Sequence, residues 1–182
     1  LSNGTTDKKY LTAKQLNRYL GGIDQLGHVC VIRLLINAIP LNEIRKLRLK
    51  DVKANSKMIR LKKPRRKAEI DVVTHSLLIQ YIDRLGKAGE RKLNKNSKIF
   101  TYTERTIRLF IKEYATGCGF KFEVNHRMLF NTFWIIHLSK EDFQDWTVVN
   151  YANHLGNSSL DYTQNQMDYF KNEIEKLQSN EQ

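Results

Sequence analysis

The chain has 182 residues, 41% hydrophobic and 10% aromatic, which fits one domain with a substantial core and excludes overall disorder. Its 31 Lys and Arg against 19 Asp and Glu give a net charge of +12, the balance of a protein that meets a polyanion. No run of about 18 apolar residues is present to span a membrane, and no apolar leader opens the sequence. The charge is clustered: from Arg45 to Lys67 basic residues fill about half the positions, opposed by Asp51 alone. Cys30 and Cys118 form no CxxC, and His28, His75, His126, His137 and His154 form no HExxH, so no metal or other cofactor is expected. Unpaired cysteines suit a reducing cytoplasm.

Residues 1–9, which begin at Leu1 and include Ser2-Asn3-Gly4-Thr5-Thr6, read as a linker remnant ahead of one domain over 10–182. Thr12-Ala13-Lys14-Gln15 has the form of a capping box and opens an amphipathic helix ending at Gly21-Gly22. A helix over Val29–Ala38 is too continuously apolar to lie on a surface. Pro40 suits the first turn of a helix carrying Leu41, Ile44 and Leu47. The period then changes. Met58 and Leu61 belong to one β-like run, and Ile70, Val72 and Val73 to a second, with Lys62-Lys63-Pro64-Arg65-Arg66-Lys67 as a basic hairpin tip between them. Helical spacing returns at Leu77, Leu78, Tyr81, Ile82 and Leu85, before a polar loop over Gly86–Ser97. Four more helices are predicted at Thr103–Tyr114, Asn125–Leu138, Glu141–His154 and Ser158–Leu177. Trp134 and Trp146 sit among apolar neighbours and are expected in the core. The fold class is mainly α with a small antiparallel β-sheet.

Three short boxes in this order resemble the tyrosine recombinase (phage integrase) catalytic domain, over Tyr10 to about Phe170. Leu11-Thr12 matches the family's opening. The box TGLRxxEL reads Asn37-Ala38-Ile39-Pro40-Leu41-Asn42-Glu43-Ile44, followed by Leu47, Leu49 and Asp51-Val52. The box HxLRHTF reads Arg127-Met128-Leu129-Phe130-Asn131-Thr132-Phe133. LGHSS with T..Y reads Leu155-Gly156-Asn157-Ser158-Ser159 with Thr163 and Gln166. The resemblance implies an N-terminal DNA-binding domain ahead of this one. It also implies that Pro40 and Phe130 take the places of two phosphate-clamping arginines, and Arg127 and Asn157 those of two histidines. Gln166 takes the place of the nucleophilic tyrosine. Lys62 or Lys63 fills the position of a hairpin lysine that acts on the leaving oxygen.

Strand cleavage needs a nucleophile and preorganised donors around phosphorus, and losing one donor costs about 10²–10³ in rate. With five positions exchanged, the sequence predicts no catalytic residues and a domain that is not an enzyme. Tyr162 and Tyr169 are the candidate displaced nucleophiles, and His126 and His154 the candidate shifted donors. DNA affinity rests instead on phosphate neutralisation. Its candidate residues are Lys62, Lys63, Arg65, Arg66 and Lys67 on the hairpin, Thr103, Arg105, Thr106 and Arg108 at a helix start, and Arg127. The expected function is sequence-specific double-stranded DNA binding by a phage or mobile-element regulator in a bacterial host cytoplasm. It would be similar to the recombinase-fold repressor of SPβ-like Bacillus phages and could be homo-oligomeric on DNA. The alternatives are a divergent active integrase and an accessory subunit of a recombination complex. The apolar stripe Phe170, Ile174 and Leu177 would either cover its own core or join subunits.

Overall fold

Side-chain caps set most of the helix starts in the computed structural model of the chain, which describes residues 8–88, 92–140 and 145–179. The Thr12 hydroxyl accepts from the Gln15 N–H while the Gln15 side chain accepts from the Thr12 N–H, closing the capping box that opens α1 (Ala13–Gly21). The apolar α2 (Leu26–Ile36) is almost wholly buried. A tight turn follows in which Ala38 adopts the left-handed φ of 55°, leading into the single turn α3 (Leu41–Ile44) with Pro40 as its N-cap. Strands β1 (Met58–Lys62) and β2 (Arg65–Glu69) form an antiparallel hairpin. The remaining helices are α4 (Val72–Lys87), α5 (Glu104–Gly117), α6 (His126–Leu138), α7 (Val148–Leu155) and α8 (Leu160–Ser179). Thr103, Asn125 and Thr147 cap α5, α6 and α7. The predicted class, mainly helical with one small antiparallel sheet, is the observed one.

Four boundaries differ from the sequence reading. The second strand is not Ile70, Val72 and Val73 but Arg65–Glu69, because Asp71 ends the strand and caps α4 through the Thr74 N–H at 2.9 Å. Val72 and Val73 therefore stand on a helical first turn, 67% and 49% exposed. The basic tip is correspondingly narrower: Lys62, Arg65, Arg66 and Lys67 are strand residues, and only Lys63-Pro64 joins the strands. The predicted loop after α4 begins later, since the helix runs through Lys87. Helix α7 starts at Val148 rather than Glu141, behind the Thr147–Asn150 capping box; residues 141–144 lie outside the described residues.

The core has two parts. In the first, α2 runs through the middle and packs against α4, α5 and α6, with Leu34, Leu35, Ile107, Ile111 and Leu129 sealed from solvent. In the second, Phe133 and Trp134 of α6 meet Tyr151 of α7 and Phe170 of α8, with Trp146 packed against them. Helix α6 contributes to both and ties them together. Helix α8 packs on α6 and α7, and its stripe of Phe170, Ile174 and Leu177 joins the second cluster. That stripe covers its own core. Among the described residues, no helix is long and apolar enough to cross a membrane.

Candidate nucleic-acid interface

The register of the hairpin sorts its cations onto two faces. Ile59, Leu61 and Ala68 turn inward, so Arg60 and Lys62 of β1 project outward with Arg65 and Lys67 of β2. Arg60 lies directly opposite Lys67, and Lys62 directly opposite Arg65. Like charges directly opposite across a strand pair repel. Four exposed cations in two facing pairs, with no carboxylate paired to any of them among the described residues, form a surface that an anion would relieve.

Arg66, one of the DNA-contact candidates, shares the inward face with Leu61 and is half-buried there. Its Nε donates to the His154 carbonyl at 2.9 Å, and its guanidinium carbon would lie 2.9 Å from a Cβ at Gly156. Burial lowers its pKa, while the nearby Glu43 carboxylate opposes that. Arg66 therefore clasps β2 to the end of α7. Arg60, by contrast, is absent from the candidates that sequence alone supplies. The alternation of β1 about Ile59 and Leu61 carries the signal that points it outward.

The hairpin tip is held from beneath by a buried carboxylate. Glu43 of α3, 3% exposed, accepts the backbone N–H of Lys62 and of Lys63, each at 3.1 Å. On the other side the tip rests on Gly156. That glycine closes α7 at φ 74°, and a Cβ there would meet the Pro64 Cδ at 2.8 Å.

Beside the tip lies a cleft of about 770 Å³. The residues at all five box positions line it: Pro40 ahead of α3, Arg127 and Phe130 on α6, Asn157 after α7, and Gln166 on α8. Tyr162 and Tyr169 line it too, with Lys8 and Lys9. Distant stretches of sequence thus meet at one place. Arg127 and Tyr162 are exposed, whereas the Asn157 side chain is engaged, donating to the Thr163 hydroxyl at 3.1 Å. His126 borders the adjoining hollow and has a pKa lowered by burial and by Arg108. His154 is drawn away from the cleft: it is buried, stacks on Phe133 at 5.0 Å, and its Nε2 lies 2.8 Å from the Asn37 carbonyl. Burial lowers its pKa as well.

The start of α5 lies near this region, because Glu104 lines a smaller hollow of about 300 Å³ that shares Pro40, Arg127 and Phe130 with the cleft. Thr103 and Thr106 spend their hydroxyls on the cap, 2.8 Å apart. Arg108 pairs with Glu104 of its own helix, while Arg105 is exposed. Among the described residues no group of three or more His, Cys, Asp or Glu side chains is placed to hold a metal ion.

No family model matches the sequence, and no curated protein is detectably similar to it. Solved structures are similar in fold. The crystal structure of XerA recombinase superposes with a TM-score of 0.75 at 17% identity, over 93% of this chain and 64% of that one. The fold is that of a tyrosine-recombinase catalytic domain. XerH site-specific recombinase, in a pre-cleavage complex with its difH substrate, matches with a TM-score of 0.69 at 17% identity, over 87% of this chain and 49% of that one. The Tn1549 transposon integrase bound to circular intermediate DNA matches with a TM-score of 0.69 at 15% identity, over 91% of this chain and 62% of that one. This chain thus spans between about half and two thirds of the length of these recombinase structures.

The match corrects one expectation. The sequence reading of a domain that is not an enzyme is overturned, because the structures sharing this recombinase fold are those of recombinases and an integrase. The cleft of this chain holds a cation, Arg127, and an exposed tyrosine, Tyr162.

Proposed function

We propose that this domain binds double-stranded DNA through the outer face of its hairpin and the adjoining cleft, recognises a particular sequence, and serves as a regulator in a phage or mobile element. The observation that carries the reading is the two pairs of facing cations, Arg60 with Lys67 and Lys62 with Arg65. A fold gains nothing internally from opposing like charges, and a phosphate backbone compensates them. Lys63 at the tip and Arg127 at the cleft extend the same positive surface, and Arg105 is the exposed candidate for contact with base edges.

A second reading, strand transfer by a divergent recombinase, is favoured by the recombinase fold and by Tyr162 and Tyr169 lining the cleft with Arg127. Two measurements on one selected sequence separate them. Selection from random duplexes should return a defined site, and failure to enrich any sequence would contradict sequence-specific binding. A suicide substrate built on that site then reports the chemistry. A covalent adduct lost on Tyr162→Phe or Tyr169→Phe assigns strand transfer; a stable complex without adduct supports the regulator.

A further inference from the structure

The cleft beside the hairpin has a chemistry of its own. Of the cations that border it, Lys8 donates to the Gln15 side chain at 2.7 Å and Lys9 interacts with the Glu173 carboxylate, while Arg127 pairs with no carboxylate among the described residues. Its wall is aromatic and apolar: Phe130 and Pro40 on one side, Tyr162 and Tyr169 on another. The Lys9 ammonium sits 4.7 Å from the centre of the Tyr169 ring, so charge and aromatic face lie side by side. The Gln166 side chain makes no hydrogen bond among the described residues, and its amide offers both a donor and an acceptor.

These features select among ligands. A bare phosphate would satisfy the cations but leave a proline and a phenyl ring facing its oxygens. A purely apolar molecule would use the wall and leave Arg127 without a counter-charge. A nucleotide satisfies both, with an anionic group at one end and a flat aromatic base at the other. The volume of about 770 Å³ is also in the range, about 300–1,000 Å³, of sites that enclose small ligands. We propose that the cleft is a nucleotide-binding site, with the phosphate on the Lys8, Lys9 and Arg127 rim, the base against Phe130 and the tyrosines, and Gln166 on the base edge. The nucleotide comes either from free solution or from an unpaired position of a DNA strand. The inference rests on the same cleft and shares Arg127 with the proposed duplex surface, but it draws on no residue of the hairpin, so duplex binding lost with the hairpin cations and nucleotide binding lost with Tyr162 are separable outcomes.

The test titrates the 182-residue chain with each of the four deoxynucleoside 5′-monophosphates, the matching nucleosides and inorganic phosphate, followed by NMR. At least one monophosphate should shift the resonances of Arg127, Phe130 and Tyr162. It should bind about tenfold or more tightly than inorganic phosphate or its own nucleoside, since charge-assisted bonds and base stacking both contribute. Arg127→Ala and Tyr162→Ala, both at exposed positions, should each weaken that monophosphate by about tenfold. A duplex with one unpaired nucleotide that displaces it better than the fully paired duplex assigns the ligand to a DNA strand; displacement by neither assigns it to free nucleotide. Inorganic phosphate binding as tightly as the best monophosphate, shifts confined to residues outside the cleft, or no binding by any monophosphate would overturn the proposal.

Discussion

At single positions, backbone geometry and burial decide what each residue can do. Gly156 needs a left-handed φ and sits where a Cβ would strike Pro64, so Gly156→Ala should destabilise the fold by about 1–2 kcal/mol from backbone strain alone. A urea midpoint indistinguishable from the parent's would remove that role. Two histidines, the half-buried His137 and the buried His154, give the fold a pH response. Burial, with help from His154 and Lys140, lowers the His137 pKa to about 3, and burial lowers that of His154 too. Both therefore bind fewer protons folded than unfolded, so the stability they contribute is complete above the unfolded value near 6.5. It is lost as the pH falls from there toward the folded value. His137 alone should lower the melting temperature by roughly 4–8 °C between pH 7 and pH 5, from about 2 kcal/mol, and His154 acts in the same direction. In His137→Leu the drop should shrink by that amount, and an unchanged pH profile in that variant would exclude His137 as its source. Asp71 answers at lower pH. Burial pushes its carboxyl up, but hydrogen bonds from Thr74 and Asn37 and the charge of Arg33 hold it down at about 2.

At the level of elements, the hairpin is shaped by what lies beneath it. Glu43 gives one carboxylate oxygen to each of two N–H groups at the tip. Glu43→Gln keeps the shape but turns one acceptor into a donor facing a donor. This should weaken DNA binding through a loosened tip while costing about 1.5–3 kcal/mol of stability. Unaltered amide exchange at Lys62 and Lys63 in that variant would show that the carboxylate does not hold them. Helix α8 offers a second check. Ile174 and Leu177 join the aromatic cluster, and Glu173 accepts from the Tyr10 hydroxyl at 3.0 Å. Deleting residues 171–182 should lower the melting temperature by about 5–10 °C, from the exposure of apolar surface around two half-covered aliphatic side chains and the removal of one hydrogen bond. A truncated chain that melts like the parent would remove the in-chain role. Sequence made these helices legible because Thr12, Thr103 and Asn125 are true caps with periodic apolar residues behind them. It failed at β2 because Val72 and Val73 favour strands locally, while the contacts that end the strand come from Asn37 and Arg33, far away in the chain. The inward turn of Arg66 is hidden in the sequence for a similar reason. Within a run of like residues, only the register set by Ile59 and Leu61 tells inward from outward.

For the whole molecule, the boxes and their intervals foresaw the recombinase fold, and the structure brings Pro40, Arg127, Phe130, Asn157 and Gln166 to one cleft. They did not foresee its cationic rim, since Lys8 and Lys9 lie in the stretch read as a linker. The central claim concerns the net charge of +12 and where it is concentrated. Replacing Arg60, Lys62, Arg65 and Lys67 together by glutamine should separate binding from stability. The fold should melt no lower than the parent, because two repelling pairs are removed. Binding to any duplex should weaken, and the slope of log affinity against log salt should flatten by up to about 0.9 for each phosphate no longer neutralised. The measurement is that slope, taken by titrating duplex DNA at several salt concentrations with both proteins. A slope flattened by about three to four units supports the hairpin as the DNA-binding face. An unchanged slope in a folded variant contradicts it.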